Sequence, residues 1–253
     1  MPKILINSST SPAIKIFAGD PLLSVSEMFS QTLQGEGFYI GHPATFLRVQ
    51  GCHIGCKFCD SSAIWRKGQA FHVNEILDIL EVSGTIQRFR EGEHLIITGG
   101  APMLQEDRLL ALLETFESRF DFIPFVQVEN ECTIEPSRDF LKYISCWNNS
   151  PKLQNSKVEQ HKRYKPRTIK YMSKLDNSWF KFVVGSLGDW QEIEDFYLAP
   201  RLIRKDQVIL MPKGYSQEEL NETRLMVAEL AMEKNVRFSD RLQITLYNTR
   251  VSV

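Results

Sequence analysis

Short runs rich in β-branched and aromatic residues alternate along the chain with longer segments whose apolar positions recur every three to four residues. The first pattern predicts strands and the second predicts helices. Strands are expected over Ser24–Thr32, Ala44–Gln50, His94–Thr98, Phe122–Val128, Tyr143–Trp147, Trp179–Gly185, Val208–Met211 and Leu242–Leu246. A helix is expected over Val73–Phe89, with Val73, Ile76, Leu77, Ile79 and Leu80 on one stripe; His72 or Asn74 opens it and Gly84 weakens its end. Further helices are expected over Leu104–Phe120, Ser137–Lys142, Asp189–Leu198 and the segment from Ser216 to Lys234. Ser216 with Glu219 three residues on has the pattern of a capping box. The glycines of Leu33-Gln34-Gly35-Glu36-Gly37 mark a turn.

Strands that alternate with helices imply an α/β fold with a mostly parallel sheet and right-handed crossovers. Some six βα units fit along the chain, fewer than the eight a closed barrel requires. The expectation is therefore a partial, open (β/α)6-type barrel, read as one domain over residues 1–253. Its functional site is expected at the C-terminal ends of the strands.

Composition adds mainly exclusions. Hydrophobic residues make up 43% of the 253 positions and charged residues 24%, an ordinary globular balance. The formal net charge of −1 gives no global reason to expect nucleic acid or a membrane surface as a partner. No apolar run approaches the length of a bilayer span, and Met1–Ser11 lacks the charged-then-apolar order of a signal peptide. Five cysteines, three of them clustered, suit a reducing cytoplasm better than a disulfide framework. Cys132 and Cys146 stand alone in apolar surroundings and read as core residues.

The candidate chemistry lies in Gly51-Cys52-His53-Ile54-Gly55-Cys56-Lys57-Phe58-Cys59-Asp60, a C-x3-C-x2-C spacing at the end of the second expected strand. Three thiolates this close can grip one metal centre from a single loop. A four-iron, four-sulfur cluster normally takes four thiolates, so three would leave one iron open to a group that is not protein. An open metal position is the mark of a site that does chemistry. The competing reading is structural zinc or free thiols. Zinc prefers two ligand pairs, and no second Cys-x-x-Cys or His-x3-His pair follows.

One segment is set apart by charge. Between Lys152 and Lys174 stand eight lysines and arginines against the single acid Glu159. It reads either as a solvated basic insertion near 153–178 or as a basic lid that draws an anionic substrate inward.

The cysteine loop resembles the cluster motif of the radical S-adenosylmethionine enzymes. Leu33-Gln34-Gly35-Glu36-Gly37, Phe46-Leu47-Arg48 and Gly51-Cys52 through Cys59-Asp60-Ser61, in that order, resemble the 7-carboxy-7-deazaguanine synthase family more closely. The likeness continues through Thr98-Gly99-Gly100, Ser150-Pro151-Lys152, Lys181-Phe182-Val183, Met211-Pro212-Lys213-Gly214 and Arg241-Leu242, so it spans most of the chain. The resemblance implies a radical S-adenosylmethionine lyase. It would contract 6-carboxy-5,6,7,8-tetrahydropterin to 7-carboxy-7-deazaguanine with loss of ammonia, on the route to queuosine and other deazapurines. It also implies a 4Fe-4S cluster, S-adenosylmethionine used as a cofactor, Mg2+, a reductant such as flavodoxin, and a homodimer.

Carried onto this sequence, the resemblance implies that Cys52, Cys56 and Cys59 hold the cluster and Ser61 holds magnesium. Phe58, Cys59, Asp60, Gly100, Ser150, Pro151 and Lys152 would contact S-adenosylmethionine, and Leu33, Gln34, Gly35, Arg48 and Thr98 the pterin. No catalytic side chain is implied beyond the cofactor-derived radical. Arg48 suits a bidentate carboxylate pair, and its alternative role is a salt bridge; Gln34 and Glu36 suit the pterin's amide edge, and their alternative is a polar turn. The chain departs from the family at Ala101, where glutamate is usual, at Ser61 for threonine, at Gln243 for histidine, and at Glu129-Asn130-Glu131-Cys132-Thr133 for a Glu-Thr-Asn-Gly-Thr pattern. Another radical S-adenosylmethionine reaction such as glycyl-radical activation, or a zinc-stabilised non-enzymatic protein, are the alternatives; no second cysteine cluster favours the former.

Overall fold

A computed structural model describes residues 2–12, 19–57 and 59–252. The strands are β1 (Lys3–Ile6), β2 (Leu22–Leu33), β3 (Pro43–Val49), β4 (Gln69–His72), β5 (His94–Gly99), β6 (Val126–Asn130), β7 (Cys146–Asn149), β8 (Ser178–Val184), β9 (Val208–Pro212) and β10 (Arg237–Phe238). The helices are α1 (Ser62–Trp65), α2 (Val73–Val82), α3 (Thr85–Arg90), α4 (Glu106–Phe120), α5 (Arg138–Leu141), α6 (Gln160–Arg163), α7 (Pro166–Met172), α8 (Leu187–Ile193), α9 (Gln217–Lys234) and α10 (Leu242–Tyr247). All ten strands join one sheet in the order β1-β2-β3-β5-β6-β7-β8-β9-β10, with β4 pairing β2. From β3 to β10 every pairing is parallel, while β2 runs antiparallel to β1, β3 and β4. The sheet does not close, and the six long parallel strands make the open α/β barrel that the alternation of elements implies.

The two faces of each parallel strand do different work. Leu47, Val49, Leu95, Ile97, Val126, Val128, Phe180, Phe182, Val208 and Leu210 point outward into one hydrophobic core shared with the helices, among them Leu77, Leu109, Leu113 and Phe116. The alternate positions, including Arg48, Thr98, Gln127, Glu129, Asn148 and Lys181, form a polar concave face. Strand geometry sends successive side chains to opposite faces, so a single alternation builds both core and site.

Several sequence expectations shift. Gly84 adopts φ 75° and divides the expected Val73–Phe89 helix into α2 and α3. The strand expected from Phe122 begins at Val126, because Pro124 has no N–H to give the ladder. The strand expected over Tyr143–Trp147 is displaced to Cys146–Asn149, its first residues closing the turn after α5. The expected strand Leu242–Leu246 is the helix α10. The edge it would occupy beside β9 is taken by β10, and the chain instead winds up from Arg241, whose carbonyl accepts from Thr245 N at 3.0 Å. At α9, Ser216 Oγ accepts from Glu219 N at 3.2 Å, but Glu219 Oε2 turns to Tyr215 N, one residue short of a reciprocal box. The basic segment folds as α6 and α7 in the connection from β7 to β8. Arg163 is buried there against Glu192 at 2.6 Å, whereas Lys162 and Arg167 lie at the surface.

Candidate active site

Strand β3 delivers the chain into the cysteine loop at the C-terminal edge of the sheet, and a cavity of about 450 Å³ opens beside it. Cys52, Cys56, Cys59 and Ser61 line it, as do Leu33, Gln34, Gly35, Arg48, Asp60, Thr98, Gly100, Ser150 and Lys152. Thus residues more than 100 positions apart in sequence, which the family resemblance implies hold cluster, cofactor and substrate, meet in one space. Pro151 is buried and does not line the cavity, and Phe58 lies outside the described residues.

Close packing fixes the loop. A Cβ on Gly100 would lie 2.2 Å from Gly51 O and 2.6 Å from Cys52 Cβ, and one on Gly99 would lie 2.5 Å from Val49 O. Ala101 N donates to Gly51 O at 2.9 Å, tying the two loops together. Ile54 N approaches Cys52 Sγ at 3.4 Å, and the Trp65 indole N–H donates to Cys59 Sγ at 3.2 Å. The Ser61 hydroxyl sits 3.7 Å from Cys59 Sγ. Burial pushes the Cys56 thiol up, Lys152 pulls it down, and the two neighbouring cysteines push it up again. Cys132 and Cys146 are buried away from this loop, both with thiols raised by burial, Cys146 to about 12. Among the described residues no three His, Cys, Asp or Glu side chains converge tightly enough for a single ion. Cys52, Cys56 and Cys59 all come from this one loop, and all three line the cavity.

Away from the cysteines, the concave face carries a buried charge network. Lys181 Nζ lies 2.7 Å from Glu36 Oε2 and 2.8 Å from Glu129 Oε2. Glu36 Oε1 accepts from Arg241 Nε at 3.0 Å and Gln243 Nε2 at 2.6 Å. Arg241 also pairs with Asp60 of the cysteine loop. Burial pushes the Glu36 carboxyl up, but Lys181 and Arg241 outweigh it and hold the group well below the usual carboxylate range. Burial opposes the charge of Lys181, and Glu129 with Glu36 overcomes that and raises it. Gln34 is buried, donating to Glu129 Oε1 at 3.1 Å and Gln127 Oε1 at 3.3 Å, and its own Oε1 accepts from Glu36 N. Arg48 pairs with Glu27 at 2.8 Å while still lining the cavity.

Lys181, Arg241 and Gln243 line the cavity without having been assigned a site role from the sequence. Glu129 and Glu131, which follow the strand expected over Phe122–Val128 and are candidates from the sequence for the S-adenosylmethionine amine in place of a glutamate at Ala101, line it too. One signal was legible: Lys181 interrupts the apolar run Trp179-Phe180-Lys181-Phe182-Val183, and a charge inside a buried strand needs a partner.

Residues 33–144 match the family model described as a 4Fe-4S single cluster domain. The 7-carboxy-7-deazaguanine synthase of Pyrobaculum aerophilum is 31% identical over 88% of this chain and 94% of its own. The chain belongs to the 7-carboxy-7-deazaguanine synthase family. The synthase of Halobacterium salinarum is 30% identical over 90% of this chain and 91% of that one. The crystal structure of QueE from Escherichia coli shares the fold, with a TM-score of 0.62 at 24% identity, covering 87% of this chain and 94% of that one. Membership in this family agrees with the motif order read from the sequence and with the open barrel.

Proposed function

We propose that this protein is a radical S-adenosylmethionine lyase, one domain over residues 1–253, that converts 6-carboxy-5,6,7,8-tetrahydropterin to 7-carboxy-7-deazaguanine and ammonia. The observation that carries the reading is the single cavity in which the three-cysteine loop, the Gly99-Gly100 backbone, the Ser150 and Lys152 loop and the polar face around Gln34 and Arg48 meet. The ring contraction loses one NH3 and needs no net oxidant or reductant, so the cofactor can be regenerated in each cycle.

The donor set fits the implied groups. Cys52, Cys56 and Cys59, which line the cavity, would hold the 4Fe-4S cluster and leave one iron without a protein thiolate. Bound together, the cluster and S-adenosylmethionine supply a carbon-centred radical that takes hydrogen from the pterin. The chain's own residues bind, orient and shield. Gly99 and Gly100 admit close backbone approach, and Lys152, 3.0 Å from Ser150 Oγ, brings a cation to a loop suited to a carboxylate. Asp60, fixed by Arg241, closes the cysteine loop onto the pterin side. Gln34 and the Glu36–Lys181–Glu129 network present donors and acceptors in fixed positions, the arrangement that reads the edge of a pterin. Leu33, Gly35 and Thr98 complete that wall, and Arg48 is the cation for the substrate carboxylate, shared with Glu27. Ser61 offers a hydroxyl oxygen for magnesium, which keeps its other positions for water or substrate oxygens. The reading extends to a cytoplasmic homodimer served by an electron donor such as flavodoxin; among the described residues no helix is long and apolar enough to cross a membrane.

The test is an anaerobic assay of the cluster-loaded protein with the carboxytetrahydropterin, S-adenosylmethionine, magnesium and a reductant. Formation of 7-carboxy-7-deazaguanine with one ammonia per turnover is expected. Full iron loading and S-adenosylmethionine binding without that product would move the protein to a different radical reaction. A protein that takes up zinc and no iron would remove the enzymatic reading.

A further inference from the structure

Of the largely buried carboxylates at the cavity, two are fully engaged. Glu36 uses both oxygens on Lys181, Arg241 and Gln243. Glu129 uses both on Lys181, Gln34 and Asn148. Glu131 differs. Its side chain is 4% exposed, and its Oε2 has no hydrogen-bond partner among the described residues.

The rest of Glu131 is held in place. Asn130 Oδ1 accepts from Cys132 N at 3.0 Å, and Cys132 takes φ 64°, bending the chain just after β6. Thr133 Oγ1 donates to Glu131 Oε1 at 2.9 Å, and the same hydroxyl meets His53 Nε2 of the cysteine loop at 2.8 Å. The carboxylate is thereby strapped to the loop that carries the cysteines. A buried carboxylate oxygen with no donor is costly, more so than a neutral acceptor. Lys152, which lines the same cavity, directs its Nζ to Ser150 Oγ at 3.0 Å. Ala101, beside the same loop, offers no side-chain acceptor of its own.

We propose that Glu131 binds the α-ammonium group of S-adenosylmethionine. The inference rests on the reading of the cavity given above and assigns one contact within it. The cofactor carries two positive centres. The sulfonium has no N–H and responds only to the local field. The ammonium has three N–H donors, which is what an oriented carboxylate with one oxygen free can use. The two carboxylate oxygens exchange by rotation about a soft terminal torsion, so the free one can turn to the ligand while Thr133 keeps its partner. Glu131 is in this sense a cofactor-binding residue, with Thr133 and His53 as positioning residues.

The test compares two ligands on cluster-loaded native protein and the Glu131→Gln variant by anaerobic calorimetry. One is S-adenosylmethionine. The other is 5′-methylthioadenosine, which keeps adenine, ribose and sulfur and lacks the amino acid. The expected result is a loss of S-adenosylmethionine affinity of about tenfold or more in the variant, the scale of one charge-assisted hydrogen bond, with methylthioadenosine binding unchanged. Thr133→Val, which frees Oε1 without removing the carboxylate, should show a smaller loss with the same selectivity. It also serves where Glu131→Gln does not fold. Equal S-adenosylmethionine affinity in native and variant proteins would overturn the assignment, as would equal weakening of both ligands. Native, iron-loaded protein that binds neither ligand would instead overturn the reading of the cavity, and this contact with it.

Discussion

Lys181 is the most exacting place to perturb this fold. The residue is 2% exposed, and its ammonium sits between two carboxylates, Glu36 at 2.7 Å and Glu129 at 2.8 Å. Lys181→Met keeps the length of the side chain and removes the charge. Breaking a buried ion pair by removing one partner costs about 3–5 kcal/mol. Here both orphans keep other donors: Arg241 and Gln243 for Glu36, Gln34 and Asn148 for Glu129. The expected loss is therefore at the lower end, about 3 kcal/mol, or a fall in Tm of about 6–12 °C for a chain of this size. The pH dependence gives an independent check. In the native protein Lys181 and Arg241 hold the Glu36 carboxyl low, so its contribution is complete above the unfolded carboxylate pKa and is lost as pH falls through the folded one. Without Lys181 the Glu36 carboxyl loses the strongest of the charges that hold it low and titrates higher, and proton uptake relieves part of the uncompensated charge. The gap between native and variant should narrow from pH 8 to pH 5. Urea unfolding of both proteins, followed by circular dichroism at the two pH values, measures it. A loss below about 1 kcal/mol, the range of an exposed pair, or an equal loss at both pH values would refute the reasoning. Adding Glu129→Gln to the variant should restore part of the stability.

Other expectations follow from single contacts. Trp65→Phe removes the N–H donated to Cys59 Sγ at 3.2 Å; such bonds help set cluster potentials, and losing one should lower the midpoint in a redox titration monitored by electron paramagnetic resonance, with iron content retained. Gly100→Ala forces a methyl against Gly51 O and Cys52 Cβ. It should destabilise by about 1–3 kcal/mol and reduce iron retention, and full iron with native stability would count against the close-approach argument. Burial and the neighbouring His42 lower the His94 imidazole from 6.5 to about 4, so the unfolded chain binds more protons in that window and native stability should fall as pH drops from 6.5 to 4; His94→Gln should flatten that slope in thermal melts. Magnesium-stimulated turnover should diminish in Ser61→Ala, and identical activity of that variant with and without the ion would withdraw Ser61 as its ligand.

The sequence by itself determined the chemistry-bearing loop and the class of fold. The C-x3-C-x2-C spacing is local, so three thiols must share a neighbourhood whatever the rest of the chain does. The alternation of strand and helix periods is also local, and it fixed an α/β sheet whose outward residues form the core. Turn chemistry was legible where one residue decides it, as at Ser216, yet Gly84 was read as a weak helix end when it is a break. Tertiary structure decided what local pattern cannot hold. Leu242–Tyr247 is apolar enough for a strand, but the sheet edge was already occupied by β10, and only the assembled sheet shows that. The buried network joins Glu36, Glu129, Lys181 and Arg241 from four distant stretches. Only Lys181, inside an apolar strand run, stands out singly in the sequence; which partners it has does not, because the free energy of a buried ion depends on groups that sequence distance does not reveal. Arg163 shows the converse: counted with a basic surface run, it is buried on Glu192 and the carbonyls of Lys152 and Val158, partners that only the folded connection brings to it. Glu131 gained its distinction in the same way, when folding engaged its neighbours and left one of its oxygens without a donor.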